Sequence, residues 1–568
     1  MSSQKLTRSY LHAPSKLPFI GRTLGQQLYV MAEKYTDKEM YVFYTDKERF
    51  SFSEMKEKSQ QCAAALLSKG LQKGDRFAVL GANHSEWLIT MFACAQLGVI
   101  FVQLRLEFPI ATIKRLLEKF GCKALLLTRS PSDLIEQVSE FIPTLKTNDK
   151  TDVKCLSLPD LEFVVIGNKE SKVSGAYTFN EFLQIGDESA RRKVEEICWT
   201  IDIDDPCIAY FTSGTTGVPK AAIHNHHCVL NVTHGAGTYR SDVDGFDPQW
   251  DTTRFAATMT FAGGACSVSK FLPLVRACTT IVLYPAFDVH TMAKALKDEQ
   301  VTDGFFFIHH ISDLVDLPEE DTYTCRPNIA LRSACLSGSV IPAVLRHKVT
   351  KFTKYVTSCY GMTEMLGTHF NHPLDPPHVI ENAAVFPNGG NEVKIVDSND
   401  RIVPVNTLGE LHFRGFSVFM YYWGNDEMTK ETKLANGWLR TGDLAKMDED
   451  GYIRILGRIK DIIMKESCNL SPMELEGILY KHPDIVKALV AGVPDSRTGE
   501  EVCACIVKRP GSSVTEKEIK SFCQGKVYSL LNPKYVLFVD KLPTTETGKF
   551  SRKGMSEIAQ KMLNLKTD

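Results

Sequence analysis

The chain has 568 residues, 43% hydrophobic and 24% charged. This is the composition of a soluble globular protein too long for a single core, and roughly three to four compact units are expected. A net charge of -2 excludes a dominant electrostatic pull toward nucleic acid or an anionic membrane, and no run of about eighteen uncharged apolar residues offers a membrane span.

Residues 1–32 hold Lys5, Arg8, Lys16 and Arg22 and no acidic residue, the charge bias of a mitochondrial presequence, while Pro14 and Pro18 interrupt an amphipathic helix there. Ser53 followed by Glu54 reads as a helix start, with Cys62, Ala63, Leu66 and Leu67 on one face and Gly70 as the stop. Residues 76–80 read as a strand, Ser85 to Gly98 as a helix, and 99–102 as a buried strand, which together make a parallel βαβ unit. The pattern repeats at 123–127 and 162–166, separated by a helical segment and a polar surface loop at 147–152. The sixteen cysteines are scattered, many in apolar runs such as that around Cys94, which predicts buried thiols rather than a disulfide framework.

After the apolar run 208–211 comes Thr212-Ser213-Gly214-Thr215-Thr216-Gly217-Val218-Pro219-Lys220. Its hydroxyls, backbone N–H groups and one ammonium suit an anion, at the strand end where ligands of open α/β sheets bind. It lacks the Gly-Lys-Ser/Thr ending of a Walker A loop, and a polar turn is the alternative. His224, His226 and His227 cannot all converge on one metal from an extended segment, so packing and hydrogen bonding are expected of them; His309-His310 could line a pocket. Tyr360-Gly361-Met362-Thr363-Glu364 sets a carboxylate beside a tight turn. It makes sense next to a phosphate loop as a magnesium ligand, and otherwise as a solvated surface glutamate.

From about residue 390 the strands shorten and alternate, predicting a small antiparallel sheet or barrel. This part carries Arg440-Thr441-Gly442-Asp443, whose carboxylate suits a ribose diol, and a hairpin turn at Asp448-Glu449-Asp450-Gly451. Beyond Gly457-Arg458-Ile459-Lys460-Asp461 a new unit of about a hundred residues begins. Within it Ser471-Pro472-Met473-Glu474 reads as a capping box, Cys503 and Cys505 share one strand face, and Lys549 follows Gly548 in a loop.

These motifs, in this order, closely resemble the adenylate-forming superfamily of acyl-CoA synthetases, peptide-synthetase adenylation domains and luciferases, and most nearly its acyl-CoA synthetase family member 2 branch, of medium-chain type. The resemblance implies a large N-terminal adenylation domain over 1–459, with two parallel α/β subdomains at about 1–200 and 201–385 and a distorted antiparallel β-barrel at about 386–459. A mobile α+β lid over 460–568 would turn at Lys460. It implies that ATP, Mg2+ and coenzyme A are used to convert a carboxylic acid, of medium chain length in this branch, to acyl-AMP and then acyl-CoA, with pyrophosphate and AMP released. Residues 212–220 would hold the phosphates with Lys220 on pyrophosphate, Glu364 would carry magnesium and Thr363 would lie near the α-phosphate. Tyr360 would stack on adenine against a wall of Ser337, Gly338 and Ser339, Asp443 and Arg458 would bind ribose, and Lys549 would neutralise the charge built in adenylation. A mitochondrial location follows from the resemblance, with the cytoplasm as the alternative.

Departures from the family pattern fall at Glu466-Ser467-Cys468, where glycines usually admit pantetheine, at residues 258–264 and 306–310 of the acyl pocket, and at Ala221. They keep open an adenylating enzyme with another acceptor or a luciferase-like activity, and a non-catalytic nucleotide- or acyl-binding homologue.

Overall fold

The computed structural model describes residues 5–565 apart from 16, 129–132, 148–152, 154, 168–172, 213–218, 240–251, 284–287, 318–330, 338–342, 351, 368, 467 and 545–549. The predicted surface loop thus lies largely outside the described residues. Strands Arg76–Leu80, Ile100–Leu104, Ala124–Leu127 and Phe163–Ile166 pair in parallel, as their continuous apolar runs predict. They belong to an eight-stranded sheet whose other edge is Pro206–Thr212, Lys220–Asn225 and Tyr421–Tyr422. A second, nine-stranded sheet runs from Phe386–Pro387 through Tyr355–Tyr360, Ser333–Ser337 and Asp303–Phe307 to Glu39–Phe43 and Glu48–Ser51. Residues 39–51 therefore serve the second sheet and 206–225 the first.

Helix Ser85–Leu97 is buried along its whole length, and it ends at Gly98, whose φ of 67° favours a residue without Cβ. Its Trp87 packs edge-on against Phe101 of the first sheet at 4.7 Å and at a tilt against Phe261, beyond strand Arg254–Ala257 of the second, at 5.2 Å, so one ring touches residues of both. Burying such a ring stabilises by about 2–3 kcal/mol. Nearby, Lys270 is fully enclosed, with its Nζ bonded to Gln103 Oε1 at 3.1 Å, the Tyr210 hydroxyl at 3.3 Å and the Phe261 carbonyl. The helix expected to begin at Ser53 is capped two residues earlier: Ser51 accepts from the Glu54 N–H, and Glu54 returns a carboxylate to the Ser51 N–H. Phe52, which is buried, is the first helical residue and needs that start to reach the core.

Five antiparallel strands, Tyr10–Ala13, Asn391–Val396, Gly409–Gly415, Leu439–Met447 and Ile453–Arg458, form the third sheet. Among the described residues it is open: its first and last strands do not pair, so the expected barrel is a sheet. The basic N-terminal segment is built into it, with Lys5 bonded to Asp450 at 2.7 Å. The hairpin expected after Met447 turns at Gly451, φ 88°.

Residues 463–538 supply a fourth sheet covered on both faces. Val502, Ala504 and Ile506 face helices Pro472–Leu479 and Glu516–Cys523, while Cys503 and Cys505 face helix Arg552–Met562. The two thiols lie 3.7 Å apart on one strand face, as alternation requires. Pro472 opens its helix as predicted, but the capping box does not form: the Ser471 hydroxyl donates to the Leu456 carbonyl at 2.6 Å, and Met473 Sδ packs 3.1 Å from the Cβ position of Gly457. The helix start is thereby tied to the third sheet.

Candidate nucleotide site

The apolar run 208–211 lies in strand Pro206–Thr212, and the chain returns antiparallel as Lys220–Asn225, with Lys220 opposite Thr212. Of the expected phosphate loop, Thr212, Pro219 and Lys220 are described; Ser213, Gly214, Thr215, Thr216, Gly217 and Val218 lie outside the described residues. The hairpin sets a hydroxyl and an ammonium at the two feet of that loop. On its outer edge Tyr422 pairs with Ala222. Lys220 Nζ stands 5.5 Å from the centre of the Tyr422 ring, and the Tyr422 hydroxyl donates to the Glu364 carboxylate. Burial, then the charge of Glu364, push this phenol far above its usual range, so it stays a donor. Glu364 is buried, with its own carbonyl accepting from the Phe419 N–H at 2.8 Å. The carbonyl of Thr363 accepts from His224 Nε2 at 2.9 Å.

A second cluster stands on the third sheet, where Asp443 and Arg458 are opposite each other in register. Arg458 Nε meets Asp443 Oδ1 at 2.8 Å, and the Tyr360 hydroxyl donates to Asp443 Oδ2. Arg458 Nη1 also donates to the Thr441 carbonyl at 2.9 Å, while the Thr441 hydroxyl accepts from the Asp443 N–H at 3.0 Å. Burial raises the Tyr360 phenol well above its usual range, with Asp443 adding to it. Burial works against the charge of Arg458, but Asp443, Tyr360 and Glu364 outweigh it and hold the guanidinium above its usual range. The two clusters are therefore electrostatic neighbours. Lys460, in the short turn Ile459–Asp461, is drawn down by burial and by Arg458 and Lys220 despite the opposing pull of Asp461. The sequence-predicted Lys220, Thr363, Glu364, Tyr360, Asp443, Arg458 and Lys460 thus converge.

Ser337 ends strand Ser333–Ser337, paired with Phe307, whereas Gly338, Ser339 and Lys549 lie outside the described residues. The loop at 258–264 is pinned by Asn83, whose amide donates to the Met259 carbonyl and accepts from the Phe261 N–H, both at 2.7 Å. His226 Nδ1 accepts from the Leu24 N–H at 3.2 Å and the His227 ring packs on Phe19 and Phe416. The three histidines thus take the packing and hydrogen-bonding roles expected of them. His310 is buried, and the side chain of His309 lies outside the described residues. Glu466 occupies the left-handed region, φ 50°, at the hairpin between Ile463–Lys465 and Cys468–Leu470; Ser467 is outside the described residues. Tyr422, His224 and Asn83 were not legible as site residues, since each is defined by a partner distant in the chain.

Residues 28–423 match the family of AMP-binding enzymes, and 474–549 match the AMP-binding enzyme C-terminal domain. The chain belongs to this family. The medium-chain acyl-CoA ligase ACSF2, mitochondrial, of Danio rerio is 32% identical across 99% of this chain and 92% of its own length, which places the chain among the AMP-forming acyl-CoA synthetases. The putative acyl-CoA synthetase YngI of Bacillus subtilis is 29% identical across 96% of this chain and 98% of its own. The fold is that of ATP-bound MatB from Rhodopseudomonas palustris, TM-score 0.80 at 22% identity over 96% of this chain and 100% of that one. It is also that of the anthranilate CoA ligase AuaEII in complex with anthranoyl-AMP, TM-score 0.82 at 21% identity over 97% and 99%.

Proposed function

We propose that the enzyme converts a medium-chain fatty or related carboxylic acid to its CoA thioester at the expense of ATP. The observation that carries this reading is that the segment Tyr360–Glu364 touches both clusters. The Tyr360 hydroxyl holds Asp443, which pairs with Arg458, and Glu364 accepts from Tyr422, over whose ring Lys220 stands: one end suits a nucleoside and the other its phosphates. In the first step a carboxylate oxygen attacks the α-phosphorus, the bond to the pyrophosphate oxygen breaks, and pyrophosphate leaves. Residues 212–220 hold the phosphates, and Lys220 meets the leaving charge as a point cation. Thr363 lies at the α-phosphate, Tyr360 lies against adenine beside Ser337, Gly338 and Ser339, and Asp443 with Arg458 holds the ribose. Lys549 neutralises charge on the carboxylate and α-phosphate. In the second step the CoA thiolate attacks the acyl carbonyl and the bond to the AMP oxygen breaks.

Magnesium fits Glu364. Among the described residues there is no cluster of three metal-ligating side chains, and one carboxylate plus substrate phosphates is how this ion is commonly held with nucleotides. It would supply neutralisation of phosphate charge. The adenylation domain spans 1–459 and the lid 460–568, with Lys460 as the hinge that lets one face of the lid serve each step. A mitochondrial site of action is proposed from the name of the Danio rerio relative, and subcellular fractionation tests it.

Lys549→Ala is expected to lower carboxylate-dependent ATP–pyrophosphate exchange by at least about a hundredfold; exchange at the wild-type rate would overturn the mechanism. Running the assay over acids of graded length, with and without CoA, identifies the substrate. One observation favours a second reading, an adenylate transferred to a different acceptor. Glu466 places a side chain, in a backbone conformation that favours glycine, on the segment where pantetheine would pass. Acyl-AMP accumulating in the presence of CoA would support it, and ATP binding without exchange on any acid would mark a non-catalytic homologue.

A further inference from the structure

Along the extended strand Lys220–Asn225, alternate side chains share a face, so Lys220, Ala222 and His224 project to one side. That face meets the turn carrying Thr363 and Glu364 twice. At one end Lys220 stands over Tyr422, whose hydroxyl holds the Glu364 carboxylate. At the other, His224 is fully buried with Nε2 at 2.9 Å from the Thr363 carbonyl. A carbonyl only accepts, so Nε2 carries the proton. Nδ1 faces the Cys228 thiol at 3.2 Å, and that thiol also lies 3.2 Å from the Ser417 carbonyl. Burial draws His224 down to about 4, which keeps the ring neutral at physiological pH and leaves this tautomer in place.

We propose that His224 is a positioning residue for adenylation: its Nε2–H anchors the Thr363 carbonyl and so fixes Thr363 and Glu364 against the α-phosphate and its magnesium. The assignment rests on the nucleotide reading given above. Elsewhere the turn is held by short-range bonds, Met365 N–H and Leu366 N–H to the Met362 carbonyl, by the Phe419 N–H on the Glu364 carbonyl and by the Tyr422 hydroxyl on the Glu364 carboxylate. Loss of the histidine strands a buried acceptor at the residue preceding the carboxylate, and small displacements of such groups slow reactions steeply.

The test compares full-length wild type with His224→Leu and His224→Gln in carboxylate-dependent ATP–pyrophosphate exchange, with thermal midpoints measured alongside. His224→Leu is expected to lower kcat roughly tenfold and to raise the magnesium concentration for half-maximal rate several-fold, with KM for the acid unchanged. The glutamine amide can donate to the same carbonyl and is expected to return both values to within about threefold of wild type. His224→Met repeats the apolar test if the leucine variant does not fold. Equal kcat and magnesium dependence in wild type and the apolar variant overturn the assignment, as does a change confined to the thermal midpoint. If wild type exchanges on no acid, the parent reading fails. Calorimetry with magnesium-ATP then decides the positioning role: weaker binding by the apolar variant restored by glutamine supports it, while equal binding, or none by wild type, removes it.

Discussion

Lys270 places an amine among the rings of Trp87, Tyr210 and Phe271, at 4.9, 4.9 and 5.6 Å from their centres, with Gln103, Tyr210 and the Phe261 carbonyl as its bonded partners. Burial pulls it down to about 7, and the partial opposing effect comes from Cys266. In the unfolded chain the amine titrates at about 10.4, so between these two values the unfolded chain binds more protons than the folded one. Stability from this group therefore rises with pH through that window and is smallest below it. Wild type is expected to gain about 1–2 kcal/mol on Lys270→Met between pH of about 6.5 and about 8.5 in urea denaturation; parallel pH profiles would show that the amine does not titrate there. Residues of this kind mark the limit of sequence reading. Asp443 and Arg458 stand out in glycine-flanked motifs, but their pairing depends on strand register, and nothing local to Lys270 beyond the adjacent Phe271 says that the rings of Trp87 and Tyr210 enclose it.

Secondary elements were legible where the signal is local. The βαβ unit at 76–104 and the alternating strands after residue 390 follow from periodicity, and Gly98 ends its helix as expected. Caps shifted where a nearby residue competed: Ser51 displaced Ser53 because Phe52 must be inside, and Ser471 gave its hydroxyl to Leu456. The C-terminal helix Arg552–Met562, which follows Lys549 in sequence, is fixed by a contact no pattern announces. Arg552 forms a two-bond pair with Glu476 and also donates to the Val490 carbonyl at 2.7 Å, joining two helices and a strand. Arg552→Leu leaves the Glu476 carboxylate without its cation and is expected to destabilise the protein by about 2–4 kcal/mol. A thermal midpoint within a degree or so of wild type would contradict this.

At the scale of the molecule, each of the two large sheets takes strands from both sides of residue 200, so chain order alone could suggest α/β units but not which strands each sheet holds. The open third sheet is a further case, since whether a short-stranded sheet closes depends on how its edge strands meet. The contact of Ser471 with Leu456 bears on the motion proposed about Lys460. Ser471→Ala removes this tie, worth about 1 kcal/mol, and is expected to change the ratio of thioester formation to pyrophosphate exchange by about threefold to tenfold; an unchanged ratio would separate the contact from the motion. A hydroxyl that leaves the Leu456 carbonyl lies three residues before the Glu474 N–H, the partner it would take in an ordinary capping box. Turning the lid would break the Leu456 bond, and the Glu474 N–H, already 3.3 Å from the Ser471 carbonyl, would replace it only in part. At this point of contact the hydroxyl favours the orientation described by no more than about 1 kcal/mol, so a substrate need supply only a preference of that size to offset it.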